Sequence, residues 1–174
     1  MKIHNILSSL AVVFIMSNSA NAVEKNITVT ASIDPTLELA MSDGTPLPTA
    51  INMGYTPISG LQQYTMSTKI YSNDKSKDIT MSLLTDPMLT NTVDSSKTIP
   101  LKVTYNQQAV TTTAWTADQQ LKANKIFLDE DGTSVSMPLT ISADNTGMKN
   151  WSAGTYQGIV SLLVKQVTPV TVTE

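Results

Sequence analysis

The chain has 174 residues, a formal net charge of −3, no cysteine and one histidine, enough length for a single domain with its own core. All 11 basic residues are lysines, and the lack of Cys and Arg beside a lone His4 removes Ser–His and Cys–His nucleophile pairs, ordinary zinc sites and guanidinium clamps. No enzyme activity, metal or cofactor is therefore expected, and the mild acidity argues against nucleic acid or an anionic membrane surface as a partner.

Residues 1–22 read as an export signal. Lys2 and His4 give a basic start, Ile6 to Met16 is apolar apart from Ser8 and Ser9, and Ala20-Asn21-Ala22 is an A-x-A site that predicts cleavage between Ala22 and Val23. The apolar run is short for a permanent membrane span. Val23 to Glu174 is then the mature chain, and without cysteine it needs no disulfide framework.

The next stretch, VEKNITVTASIDP over residues 23–35, alternates strictly. Ile27, Val29, Ala31 and Ile33 form one row, and Asn26, Thr28, Thr30 and Ser32 form a polar one. Asp34-Pro35 ends the strand, because proline has no N–H to continue a ladder; it reads either as a plain turn or as a hinge. The strand itself admits two readings, an ordinary first strand of its own domain or a strand that fills a groove elsewhere.

Further period-two rows follow: Tyr64, Met66, Thr68, Ile70; Ile79, Met81, Leu83; Ile99, Leu101, Val103, Tyr105; Val135, Met137, Leu139, Ile141; and Tyr156, Gly158, Val160, Leu162, Val164. Loops are marked at Ser42-Asp43-Gly44, Thr45-Pro46-Leu47-Pro48, Ser59-Gly60, Ser72-Asn73-Asp74, Asp86-Pro87 and 129–132. Asn106-Gln107-Gln108 predicts a hairpin turn, and Thr116 to Lys122 a helical turn with Thr116 at its N-cap. Pro100 and Pro138 fall within strand patterns and must sit at an edge, a bulge or a strand start. These signals predict an all-β sandwich.

Asp129-Glu130-Asp131-Gly132 lacks the spaced oxygen ligands and distal Glu of a calcium loop and reads as a solvated turn. Trp115 and Trp151 read as packing residues or as sugar-stacking platforms. The nine methionines fall mostly in strands, where they fill irregular core space.

After the strong strand at 155–165 only Gln166 to Glu174 remain, interrupted by Pro169. An immunoglobulin-like sandwich normally closes its core with one more strand. Here the candidate for it is weak, while a spare amphipathic strand stands at the opposite terminus.

VEKNITVTASIDP after an A-x-A cut, LELAMSDGTPLP at 37–48 and GTYQGIVSLLV at 154–164 resemble the start, the segment after it and the close of major pilins of class 5, the alternate chaperone–usher fimbriae of colonization factor antigen I and cable pilus type. The resemblance implies an incomplete immunoglobulin-like β-sandwich (36–174) completed by donor-strand exchange, with 23–35 as the donor. It implies that Ile27, Val29, Ala31 and Ile33 fill the neighbour's groove and that Tyr156, Val160, Leu162 and Val164 line part of the acceptor groove; Pro35 reads as a plain turn or as a hinge between subunits. The implied partners are identical pilins, a periplasmic chaperone, an outer-membrane usher, a tip adhesin and a host receptor. The implied location is a fimbria on the bacterial surface, reached through the periplasm. A freestanding secreted β-sandwich that binds carbohydrate or protein is the alternative.

Overall fold

Turn chemistry sets where the strands of this chain begin and end. The computed structural model describes residues 36–127, 129–144 and 151–169, with Thr28 and Thr30. The chain divides into two units, Met1–Ile33 and Asp34–Glu174. The expected leader, its Ala22/Val23 cut, the row Ile27, Val29, Ala31, Ile33, and Pro35 lie outside the described residues.

In the second unit the elements are β1 (Leu37–Met41), β2 (Tyr55–Thr56), β3 (Gly60–Leu61), β4 (Tyr64–Ser72), β5 (Asp78–Leu83), β6 (Met88–Asn91), β7 (Thr98–Tyr105), β8 (Gln108–Val110), α1 (Ala123–Ile126), β9 (Met137–Ala143), β10 (Tyr156–Gln157) and β11 (Leu162–Val167). One sheet runs β1-β4-β9-β7-β6-β10, with β8 also paired to β7; β5 and β11 form a second, two-stranded sheet, and β2 and β3 a small hairpin. Every ladder among the described residues is antiparallel. The core forms where the inner rows of the large sheet meet β5: Met66 and Ile70 from β4, Leu101, Val103 and Tyr105 from β7, Leu139 and Ile141 from β9, and Ile79, Met81 and Leu83 from β5. These are the rows the alternation predicts.

The hairpin between β7 and β8 turns on Asn106 and Gln107, at φ 47° and 68°. Two consecutive positive φ values between Tyr105 and Gln108, which face each other, make a two-residue turn whose twist matches the strands. Both prolines fall where the β7–β9 ladder ends. That ladder runs from Leu101↔Ala143 to Tyr105↔Leu139. One step beyond each end, the Pro100 carbonyl accepts from Asp144 N at 2.8 Å and the Pro138 carbonyl from Asn106 N at 2.9 Å. Each missing N–H thus costs no interior ladder bond.

The structure departs from expectation in three places. First, β5 is buried on both faces: its polar row, Asp78, Thr80 and Ser82, is as enclosed as its apolar one. Asp78 offsets its own burial by accepting from Ala123 N at 3.0 Å, at the start of α1, and from Lys122 Nζ at 3.2 Å, whereas the buried Thr80 hydroxyl has no hydrogen-bond partner among the described residues. Second, the helical turn expected over Thr116 to Lys122 is a single turn that ends before Leu121. Thr116 N donates to Gln119 Oε1 at 3.0 Å, and the Gln119 and Gln120 amides donate to Thr116 O. Leu121 then exchanges both backbone bonds with Ile79, at 2.9 Å each, and this extended bridge delays the regular helix to Ala123–Ile126. Third, the row Tyr156, Gly158, Val160, Leu162, Val164 is two strands, β10 in the large sheet and β11 in the small one. At the break, Gly158 lies so close to the Met88 carbonyl that a Cβ would overlap it, and Ser161 O accepts from Leu84 N at 3.0 Å. The chain crosses between sheets there, and only glycine permits the approach.

Candidate functional site

The rows that build the core do not close it everywhere. Met66 of β4, Leu89 of β6, Ile99 and Leu101 of β7, and Leu139 and Ile141 of β9 also form the floor of an open groove of about 1300 Å³. Two borders of this groove have strand-like backbone without a complete set of partners. One is β11, reached through Val160 and Leu162; among the described residues its only ladder partner is β5. The other is the run 47–53. Leu47, Ile51 and Met53 are half-buried and packed on the core, while Pro48, Ala50 and Asn52 are exposed. Thr49 is exposed as well and sits at a bend, so a strand's alternation holds over 50–53 alone, and among the described residues no backbone hydrogen bond joins 47–53 to a neighbouring strand. Polar backbone along an apolar trough is the arrangement into which one more strand fits, with its ladder satisfied and its apolar row on the floor.

Of the four residues expected to line a groove, three do so. Tyr156 stands on β10, with its hydroxyl donating to Ser152 O at 2.9 Å; Val160 lies in the crossover, and Leu162 begins β11. Val164, further along β11 and opposite Met81, is outside the groove lining and packs half-buried against the core. The opposite border escaped the sequence reading. Leu47, Ile51 and Met53 carry a period-two signal, but Pro46 and Pro48 mark the stretch as a loop.

The other candidate positions resolve individually. Trp115 is a core residue whose indole N–H donates to Ala109 O at 2.8 Å. Trp151 is half-buried beside Lys97, Pro100 and Tyr156 in a shallow pocket of about 430 Å³. In the 129–132 turn, Asp129 Oδ1 accepts from Thr133 N at 2.8 Å, and Lys75 Nζ reaches the Glu130 carbonyl at 3.0 Å. Gly132, at φ 75°, lies against Ser72 O where a Cβ would overlap it. Among the described residues no group of three or more His, Cys, Asp or Glu side chains gathers as metal ligands would.

The family model for the CS1 type fimbrial major subunit matches residues 23–165. The chain is 37% identical over 151 residues to a CFA/I fimbrial subunit of Escherichia coli O78:H11 (strain H10407 / ETEC), covering 84% of this chain and 86% of that protein. It is 33% identical over 175 residues to a CS1 fimbrial subunit of Escherichia coli, covering 97% and 100%. Among solved structures, the CooA pilin from enterotoxigenic Escherichia coli superposes with a TM-score of 0.69 at 28% identity, over 78% of this chain and 90% of that one.

Proposed function

The chain belongs to the family of CS1 type fimbrial major subunits, and from that premise we propose that it polymerises by lending its N-terminal strand to the open groove of the next copy. It is a pilin of immunoglobulin-like fold and a structural component of a surface fimbria exported through the periplasm, not an enzyme. In our reading, residues 23–35 are the donor strand, with Ile27, Val29, Ala31 and Ile33 lying on the groove floor and Pro35 acting as the hinge. Tyr156, Val160 and Leu162 receive the strand. Val164 extends the same edge. A periplasmic chaperone occupies the groove before assembly, an outer-membrane usher catalyses the exchange, and a tip adhesin with the shaft behind it attaches the fibre to host cells.

One observation carries this reading: an apolar groove in a sandwich whose smaller sheet, among the described residues, has two strands, bordered by β11 and by the run 47–53, which has no ladder among those residues. Burying Ile27, Val29 and Ile33 contributes roughly 1.5–3 kcal/mol each. Backbone bonds along the new ladder add about 1 kcal/mol apiece.

The test is Val29→Asp. A charge carried into an apolar groove without a partner costs several kcal/mol, so the variant is expected to be exported and to yield no fibres by electron microscopy. Wild-type fibre yield from Val29→Asp would overturn the proposal.

A further inference from the structure

Three large apolar side chains stand exposed together at one end of the sandwich. Leu84 is 61% exposed, Met88 47% and Ile159 79%. The crossover gathers them: Leu84 N donates to Ser161 O, and Gly158 lies against the Met88 carbonyl, which sets Ile159 between the two contacts. Ile159 also lines the mouth of the groove.

The ladder register fixes which end this is. The start of β11 pairs with the finish of β5 at Leu162↔Leu83, and its finish pairs with the start of β5 at Val167↔Asp78. The start of β1 lies at the far end, where Leu37 faces Ser72 and the Ser72 hydroxyl accepts from Gln166 Nε2 at 2.5 Å. Each molecule therefore carries an apolar cluster at one end and the beginning of its body at the other.

We infer that Leu84, Met88 and Ile159 form the seat on which the body of the next copy of this chain rests in the fibre. The inference builds on the donor-strand reading and adds a second contact to it. Every ladder among the described residues is antiparallel, so an arm joining β11 in the same sense leaves the groove beside Leu162, at the apolar end. Only Asp34, Pro35 and Thr36 separate Ile33 from β1. Three residues reach at most about 10 Å. The donor's body, led by Thr36 and Leu37, is thus held directly over the cluster, and apolar surface in that position is covered by the body and not by water.

The absence of cysteine makes the contact measurable in the full-length chain. Thr36→Cys is combined with Ile159→Cys, and in a second chain with Thr168→Cys at the other end of β11. Assembled fibres of each are treated with a bis-maleimide spanning about 10 Å, chosen to match the linker's reach. The 36–159 pair is expected to give a series of covalent oligomers on denaturing gels, and the 36–168 pair to remain monomeric. Because Thr36 and Thr168 lie at the same end of one molecule, a link within a single chain leaves it monomeric; covalent oligomers through 36–168, or through neither pair, overturn the seat while leaving strand donation intact. Normal fibres from Val29→Asp would place the failure in the donor-strand reading instead. As a second measurement, Leu84→Ser with Ile159→Ser should still yield fibres, but with a persistence length several-fold shorter. Unchanged stiffness overturns the seat, including the case in which the amount of exported fibre falls and the cluster serves the export machinery.

Discussion

Tyr105, the last residue of β7, is fully enclosed, and burial pushes its phenol up to about 12 from an ordinary 10.0. Its oxygen lies 3.4 Å from Thr68 Oγ1, and that hydroxyl is 2.8 Å from Met137 O. Because the phenol holds its proton more tightly when folded, its contribution to stability is complete below pH 10 and is lost as pH rises through about 12. The two-unit interval corresponds to on the order of 2–3 kcal/mol. Denaturant melts across this range should show wild-type stability falling more steeply than that of Tyr105→Phe; parallel slopes would mean that the phenol is solvated. The opposite sign holds at three surface turns built alike. Asp43, Asp74 and Asp94 each accept from the hydroxyl and the amide of the residue two positions on, namely Thr45, Ser76 and Ser96. The hydroxyl bond, and after it the amide bond, holds each carboxyl below its ordinary 3.8. What these turns add is present above that value and fades as pH falls below it.

Among the elements, the crossover from β10 to β11 has the least tolerance for change. A side chain at Gly158 meets the Met88 carbonyl, a backbone group that cannot rotate away. Gly158→Ala is therefore expected to cost about 1–3 kcal/mol. It should lower the melting temperature and displace Val160 and Leu162 from the groove edge. A neutral melting temperature would show that the crossover shifts freely. The same crossover marks the limit of what alternation can tell. Tyr156, Gly158, Val160, Leu162 and Val164 share one every-other spacing in the sequence, and that spacing carries no sign that its halves belong to different sheets. The rows of β4, β7 and β9 were legible because each has one buried and one more exposed face. In β5 the buried Thr80 and Ser82 look like a solvent face until the layer around Leu121 and α1 is known. The groove was legible on the β11 side, where Val160 and Leu162 stand in a strand pattern, and illegible along 47–53, where Pro46 and Pro48 mark a loop although Leu47, Ile51 and Met53 pack on the core.

For the whole molecule, the groove and the N-terminal strand make a statement about topology. A contact between two different surfaces of identical molecules does not close on itself unless the rotation returns to its start, so it generates a filament. Removing one of the two surfaces should therefore stop growth without destroying the other. A chain lacking 23–35 keeps every element from β1 to β11. It is expected to remain monomeric and to bind a synthetic peptide of sequence VEKNITVTASIDP. A ligand that binds only the folded state, at 100 times its Kd, stabilises by about 2.7 kcal/mol. In a domain of this size that raises the melting temperature by on the order of 10 °C. The same peptide carrying Asp at the Val29 position should give no shift, since the cost of the charge cancels the gain from burial. The full-length chain in assembled fibres should also give none, because a neighbour's arm already fills each groove. A truncated chain that melts identically with and without the peptide would mean that the groove does not accept this strand, and that the filament is held by some other contact.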